Sequence, residues 1–171
     1  MEDNTNPIVI NRQCSAAFTG HRSFPHGGTA NVKAVLTERI REWHGEGVTN
    51  YLCGMALGFD LMAAECVLKA KMDFNDITLT AVIPYRNQCR MWSQSDRQRY
   101  HAVLRQADFH ILLSEGYYKG CLLVRNNFLL NHANRIVAYY DGRRHGGTFY
   151  TCNRAGVMNI PVINLYDRLS G

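Results

Sequence analysis

Short apolar runs and helix-period segments alternate along almost the whole chain, and that alternation restricts the fold more than any other feature. The runs "SAAFTG" (15–20), "NYLCG" (50–54), "ITLTAVIP" (77–84), "FHILLS" (109–114), "RIVAYYD" (135–141) and "IPVINL" (160–165) have the length and the small or β-branched content of strands. Pro84 closes the third, because proline cannot continue a hydrogen-bonded ladder. Val32, Val35, Leu36, Ile40 and Trp43 recur at helical spacing and predict a helix over 29–46. Met62, Ala63, Cys66, Val67 and Ala70 give the inner stripe of a second helix starting near Asp60. Tyr100, Val103, Leu104 and Ala107 mark a third over 93–107, with further helices over 122–133 and 148–155. Strands separated by helices are joined by right-handed crossovers, which predicts a mainly parallel sheet covered on both faces.

The expected fold is α/β: a single Rossmann-like three-layer domain over residues 14–171, with a mainly parallel sheet of about six strands. A polar N-terminal extension, 1–13, precedes it. A hydrophobic fraction of 46% and a charged fraction of 19% argue against disorder, and no apolar run is long enough to span a membrane. The start, "MEDNTNPIVINRQ", has no apolar segment of the secretory kind. Six cysteines (Cys14, Cys53, Cys66, Cys89, Cys121 and Cys152) are scattered singly, which favours reduced thiols over a disulfide framework or a zinc site. These features imply a cytoplasmic protein with no membrane contact. No histidine has metal-ligand spacing and no serine sits in a nucleophile elbow, so neither a metal nor a cofactor is expected. The net charge of +5 favours an anionic partner, which a phosphorylated small molecule satisfies as well as nucleic acid.

In open α/β sheets the ligand lies beyond the carboxyl ends of the strands, near the switch in strand order. The segments following each strand are therefore the candidates. "GMALGFD" places Gly54, Met55, Ala56, Gly58, Phe59 and Asp60 before a helix start, where free N–H groups attract phosphate. It lacks the spacing of a dinucleotide fingerprint or a P-loop, and Asp60 also suits a simple N-cap. "FTGHR" offers Thr19, Gly20, His21 and Arg22, the last able to present a guanidinium fork to phosphate; the alternative is a polar loop with an exposed arginine. Asp141 opens "DGRRHGGT", where Gly146 and Gly147 lead to Thr148 as a helix N-cap, or form a plain surface turn. Pro84, Tyr85 and Trp92 belong to an arginine-rich stretch that would stack on a base, carry single-stranded nucleic acid, or merely anchor a loop. Arg125 and Asn126 stand near a helix start, from which they could reach the same edge or simply form part of a polar surface.

Taken in order, "FTGHR", "CGMALGFDLMAAE", "AVIPY", "RNNFLL", "VAYYDG", "GGT" and the final "INL" resemble the YpsA-like branch of the SLOG superfamily over residues 14–166. That superfamily joins Rossmann-like proteins related to the DNA-processing protein DprA and to the LOG phosphoribohydrolases. The resemblance implies a nucleotide-derived ligand, a nucleoside phosphate or an ADP-ribose-like molecule. It assigns Gly54, Gly58 and Asp60 to one glycine-rich segment, and Gly146, Gly147 and Thr148 to a second phosphate turn. LOG enzymes carry P-G-G-x-G-T-x-x-E, whose glutamate serves N-glycosidic cleavage; here Thr151 occupies that position. A hydroxyl cannot carry the charge that stabilises an oxocarbenium-like ribose.

The leading expectation is thus a ligand-binding domain of sensor or regulatory type, with phosphate on the Gly54–Asp60 loop and the Gly146–Thr148 turn. Arg22 would be the counter-charge, Tyr85 or Trp92 would cover the base, and a homodimer is expected by analogy with related domains. One alternative is a nucleotide N-glycosidic bond hydrolase using Asp60 or Glu65 as the acid. Another is a DprA-like single-stranded DNA binder using the arginines of 86–105.

Overall fold

The computed structural model describes residues 8–24 and 28–169. The first seven residues of the polar extension lie outside that range. Within it, six strands alternate with helices: β1 (Ser15–Gly20), α1 (Gly28–Gly45), β2 (Asn50–Cys53), α2 (Phe59–Ala70), β3 (Thr78–Ile83), α3 (Gln94–Gln106), β4 (Phe109–Leu112), α4 (Cys121–His132), β5 (Arg135–Tyr139), α5 (Gly146–Val157), β6 (Val162–Asn164) and a last turn of helix, α6 (Tyr166–Leu169). Every strand pairing is parallel, and the order across the sheet is β4-β3-β2-β1-β5-β6. The chain steps outward from β1 to β4, then returns through α4 to place β5 on the other side of β1. That reversal puts the switch between β1 and β5.

Side chains alternate between the two faces of each strand, so each face builds its own apolar cluster. Ala16, Phe18, Tyr51, Cys53, Leu79 and Ala81 meet the inner stripes of α1, α2 and α3. Ala17, Leu52, Val82 and Ile136 meet Leu129 and Leu130 of α4 and Ala155 of α5. The helix α2 is central to the first layer and buried on nearly every side, from Phe59 to Ala64. Coverage fails at the outer edge, contrary to the expectation of a sheet enclosed on both faces. Phe109, His110 and Leu112 of β4 are exposed, because β4 lies beyond the reach of α4 and is only partly overlaid by α3.

The amino end of α2 is seated against the carboxyl end of β1 by two glycines. A Cβ at Gly20 would stand 2.5 Å from the Phe59 side chain, which is wholly buried and stacks on Tyr139. Gly58 has φ +91°, and a Cβ there would stand 2.5 Å from the Arg22 carbonyl oxygen. The Phe59 N–H then donates to the His21 carbonyl at 3.1 Å, locking helix to strand. Gly58→Ala is expected to cost about 3 kcal/mol, combining a forbidden backbone conformation with a backbone clash. Gly45→Ala, at a position with open space around it, should change stability by less than about 1 kcal/mol. Urea denaturation of the two variants checks the contrast.

Candidate functional site

At the switch between β1 and β5 the strand ends splay and leave a crevice of about 520 Å³, within the usual range of ligand pockets. Thr19 and Gly20 line it from β1, Ala56 and Asp60 from the start of α2, Arg125 and Asn126 from α4, and Gly146 to Thr148 from α5. A smaller cavity of about 330 Å³ adjoins it, sharing His21, Arg22 and the same turn of α5 and extending to Asp141 and Arg143. His21 ties the two central strands together. Its Nε2 lies 2.9 Å from the Asp141 carboxylate and 3.0 Å from the Asp141 N–H, so the ring bonds one or the other according to where its proton sits. Burial pushes the Asp141 carboxyl up, but the Arg143 N–H, His21 and the Arg143 guanidinium outweigh it and hold the group below the ordinary carboxylate range.

Three helices start at this crevice, and none has a side-chain cap. Gly58 precedes α2, Gly120 in the left-handed conformation precedes α4, and His145 precedes α5 without bonding to it. By contrast, Ser93 caps α3 by accepting from the Asp96 N–H at 3.1 Å. At α2 and α4 most first-turn N–H groups are taken by nearby carbonyls, that of Phe59 by His21 and that of Cys121 by Tyr118, which leaves the start of α5 to offer N–H groups and the positive end of its dipole to the crevice.

The loop before α2 departs from the expected phosphate cradle. Three of its N–H groups are used internally: Met55 donates to the Cys53 sulfur, Ala56 to Asp60 Oδ2 at 3.4 Å, and Phe59 to the His21 carbonyl. Gly54 is glycine because Arg125 lies across it; a Cβ there would stand 2.7 Å from Arg125 Cδ. The Arg125 side chain is only 7% exposed. Its Nη1 donates to the Gly54 carbonyl, and its Nε donates to Asn126 Oδ1 at 2.8 Å. Asn126 Nδ2 in turn reaches the Gly147 carbonyl at 3.4 Å. Gly54 and Gly58 therefore meet packing requirements, and what this loop turns toward the crevice is Ala56 and the Asp60 carboxyl.

Asp60 is 5% exposed, and burial pushes its carboxyl up to about 6 although the Arg125 charge and the Ala56 N–H pull it down. It occupies the first turn of α2 rather than the N-cap, which is Gly58. Thr148 likewise lies inside the first turn of α5, since the helix begins at Gly146.

Of the residues expected at the site, Thr19, Gly20, His21, Arg22, Ala56, Asp60, Arg125, Gly146, Gly147 and Thr148 line the main crevice, and Asp141 the adjoining cavity. Gly54, Met55, Gly58 and Phe59 stand behind its wall, with Met55 wholly buried. Pro84 is buried and lines neither cavity. Tyr85 packs edge-on against Tyr117, and Trp92 edge-on against Tyr100, so neither aromatic lines the crevice as a cover. Glu65 is held by Arg99 through two hydrogen bonds of 2.8 and 3.0 Å, outside the crevice. The start of α4, from Gly120 to Leu123, together with Tyr117, completes the wall and was not anticipated. The rule of strand carboxyl ends points to this segment, but it carries no cap motif.

A wholly parallel sheet with a ligand-sized crevice at its strand switch defines a Rossmann-like α/β protein. The chain belongs to the YspA SLOG family, which it matches over residues 17–159. It is 30% identical over 130 residues to the UPF0398 protein BH1768 of Halalkalibacterium halodurans, covering 75% of this chain and 69% of that one. To the UPF0398 protein YpsA of Bacillus subtilis it is 25% identical over 148 residues, covering 81% and 82%. Among solved structures it is similar in fold to DNA processing protein A of Helicobacter pylori, described for its single-stranded DNA binding, with TM-score 0.59 and 16% identity. That match covers 86% of this chain and 63% of the other. It is also similar to TM1055, with TM-score 0.55 and 14% identity, over 91% and 79% of the two chains.

Asp60 gives this arrangement a pH signature. Its carboxyl rises from 3.8 to about 6 on folding, so the folded state holds the proton more tightly than the unfolded chain. The Asp60 contribution to stability is therefore greatest below about pH 4 and is lost as pH rises from there through about 6. Asp60→Asn removes that loss and should be more stable than the wild type by up to about 3 kcal/mol at pH 8. The difference should vanish as the pH approaches 4. Denaturant midpoints across that range test it.

Proposed function

We propose that this protein binds a nucleotide-derived ligand, a nucleoside phosphate or an ADP-ribose-like molecule, and acts as a sensor or regulatory domain. The observation that carries the reading is the position of Arg22. It lines both adjoining cavities, has no acidic partner among the described residues, and faces the uncapped start of α5. A phosphate placed between Arg22 and the Gly146–Thr148 turn would receive a guanidinium fork and backbone N–H groups together. The two cavities leave room for an organic part on either side. The α5 turn takes the role first expected of the Gly54–Asp60 loop. The resemblance to a protein described for single-stranded DNA binding keeps short DNA in the test.

A hydrolytic reading is favoured by one further observation. Asp60 is a buried carboxyl in the crevice, pushed up to about 6, close to where a general acid works best. Thr151, at the position of the LOG glutamate, cannot serve: it is 1% exposed and its hydroxyl donates to the Gly147 carbonyl at 2.9 Å. Asp60 would therefore be the acid.

Two parts of the reading concern the protein's surroundings. The six cysteines are free thiols, which suits a reducing cytoplasm, and among the described residues no helix is long and apolar enough to cross a membrane. A homodimer is supported by α4, whose exposed Leu122, Leu123 and Val124 form an uncharged surface beside the crevice.

The test is a thermal-shift screen against nucleoside mono- and diphosphates, ADP-ribose, NAD and short single-stranded DNA. One nucleotide class at a hundredfold over its Kd should raise Tm by roughly 5–10 °C. Arg22→Ala should abolish the shift and Thr148→Val should weaken it. No shift with any nucleotide would overturn the proposal. A shift with DNA alone, falling steeply with salt, would replace it with nucleic-acid binding. Slow release of free base from the bound nucleotide, lost in Asp60→Asn, would make the protein a hydrolase.

A further inference from the structure

A recess of about 710 Å³, larger than the crevice, lies away from it, over the outer strand β4. It owes its existence to the connection between β3 and α3, residues 84–93, which is longer than strand-to-helix connections usually are. This loop is built into the protein. The Gln88 side chain is buried and donates through Nε2 to the Met55 carbonyl at 3.1 Å and to the Tyr100 hydroxyl at 3.3 Å. Arg86 forms a two-pronged bond with Glu115, at 2.6 and 2.8 Å, and Trp92 packs on Tyr100. A long loop that orders itself and leaves a recess beneath it calls for a functional explanation.

The recess has a divided lining. Ile83, Leu104 and Leu112 supply apolar walls, and Leu112 remains exposed within the recess. Arg90, Arg97 and His101 stand on the rim. No aspartate or glutamate lines the recess. Arg86 is already satisfied by Glu115, whereas the guanidinium groups of Arg90 and Arg97 have no acidic partner among the described residues. Two uncompensated guanidinium groups beside an uncovered apolar floor match a molecule that carries both an oxyanion and an apolar body.

We infer that this recess is a second ligand site, separate from the crevice, for a small organic oxyanion such as a phosphate monoester or a carboxylate. Arg90 and Arg97 hold the oxyanion, and the apolar part lies against Leu104 and Leu112. A nucleic-acid strand fits less well, because the charges sit at the mouth of a concave recess whose lining has no exposed tyrosine, phenylalanine or tryptophan ring for bases to stack on.

The experiment is an NMR titration of the ¹⁵N-labelled protein with phenyl phosphate, inorganic phosphate, benzoate and a short oligothymidylate in parallel. Phenyl phosphate should move the amide resonances of Arg90, Arg97, His101 and Leu112 while leaving those of Thr19 and Gly147 in place. Inorganic phosphate should bind more weakly, for want of an apolar part. The relative affinities of benzoate and phenyl phosphate decide between a carboxylate and a phosphate ligand. The double variant Arg90→Gln, Arg97→Gln changes only exposed side chains and should keep the wild-type Tm while losing roughly tenfold or more in affinity. Absence of shifts with phenyl phosphate and benzoate alike, or shifts confined to the crevice, would overturn the inference. So would movement of these resonances with oligothymidylate alone.

Discussion

The crevice depends on one contact, the Arg125 guanidinium laid across Gly54. The two residues are 71 positions apart, one on α4, which covers one face of the sheet, and the other just past the carboxyl end of β2 within it. A buried guanidinium is tolerable only if its donors are satisfied. Here Nη1 is taken by the Gly54 carbonyl and Nε by Asn126. Any side chain at position 54 would push the guanidinium away, so the glycine and the arginine require each other. Through Asn126 the same contact reaches the Gly147 carbonyl, and through its charge it opposes the upward push of burial on Asp60. One cation thereby links β2, the start of α2 and the start of α5.

The glycines near the crevice divide accordingly. Gly20, Gly54 and Gly58 allow side chains or backbone to close in behind the wall, where each added Cβ would meet Phe59, Arg125 or Arg22. Gly146 faces open space with φ +89°, and Gly147 has only the Asn126 amide near it. These last two keep the approach to the α5 start clear. Glycine-rich turns at one sheet edge thus serve two purposes, and only the second leaves backbone within reach of a ligand.

Much of this was legible in the sequence, and the boundary follows from physics. The positions of strands and helices follow from local apolar periodicity; Val32, Leu36, Ile40 and Trp43 face inward as their spacing predicts. The rule for strand carboxyl ends brings Thr19, Arg22, Asp60 and Thr148 to one place, whereas the strand order that sets the switch beside β1 is not written in the alternation of elements. The purpose of Gly54 was not legible, because its reason is a side chain far along the chain. Nor was the exposure of β4: "FHILLS" has the apolar content of a buried strand, and nothing within it says that the helical layers stop short of the edge. Trp92 and Tyr85 suit a base cover by residue type alone, yet each is engaged by a neighbouring tyrosine, a tertiary fact that local pattern does not encode.

The electrostatics of the crevice follow from what the fold leaves unsatisfied there. The start of α5, which has no side-chain cap, and the buried Arg125 guanidinium bring positive charge to it, and the carboxyl within it belongs to a residue for which burial raises the cost of ionisation. Asp60 therefore moderates the field only when it is ionised, and ionising it costs the fold stability. An anion entering the crevice would face the same positive groups and would favour protonation of Asp60 by like-charge repulsion. Occupancy and protonation are then linked, each strengthening the other.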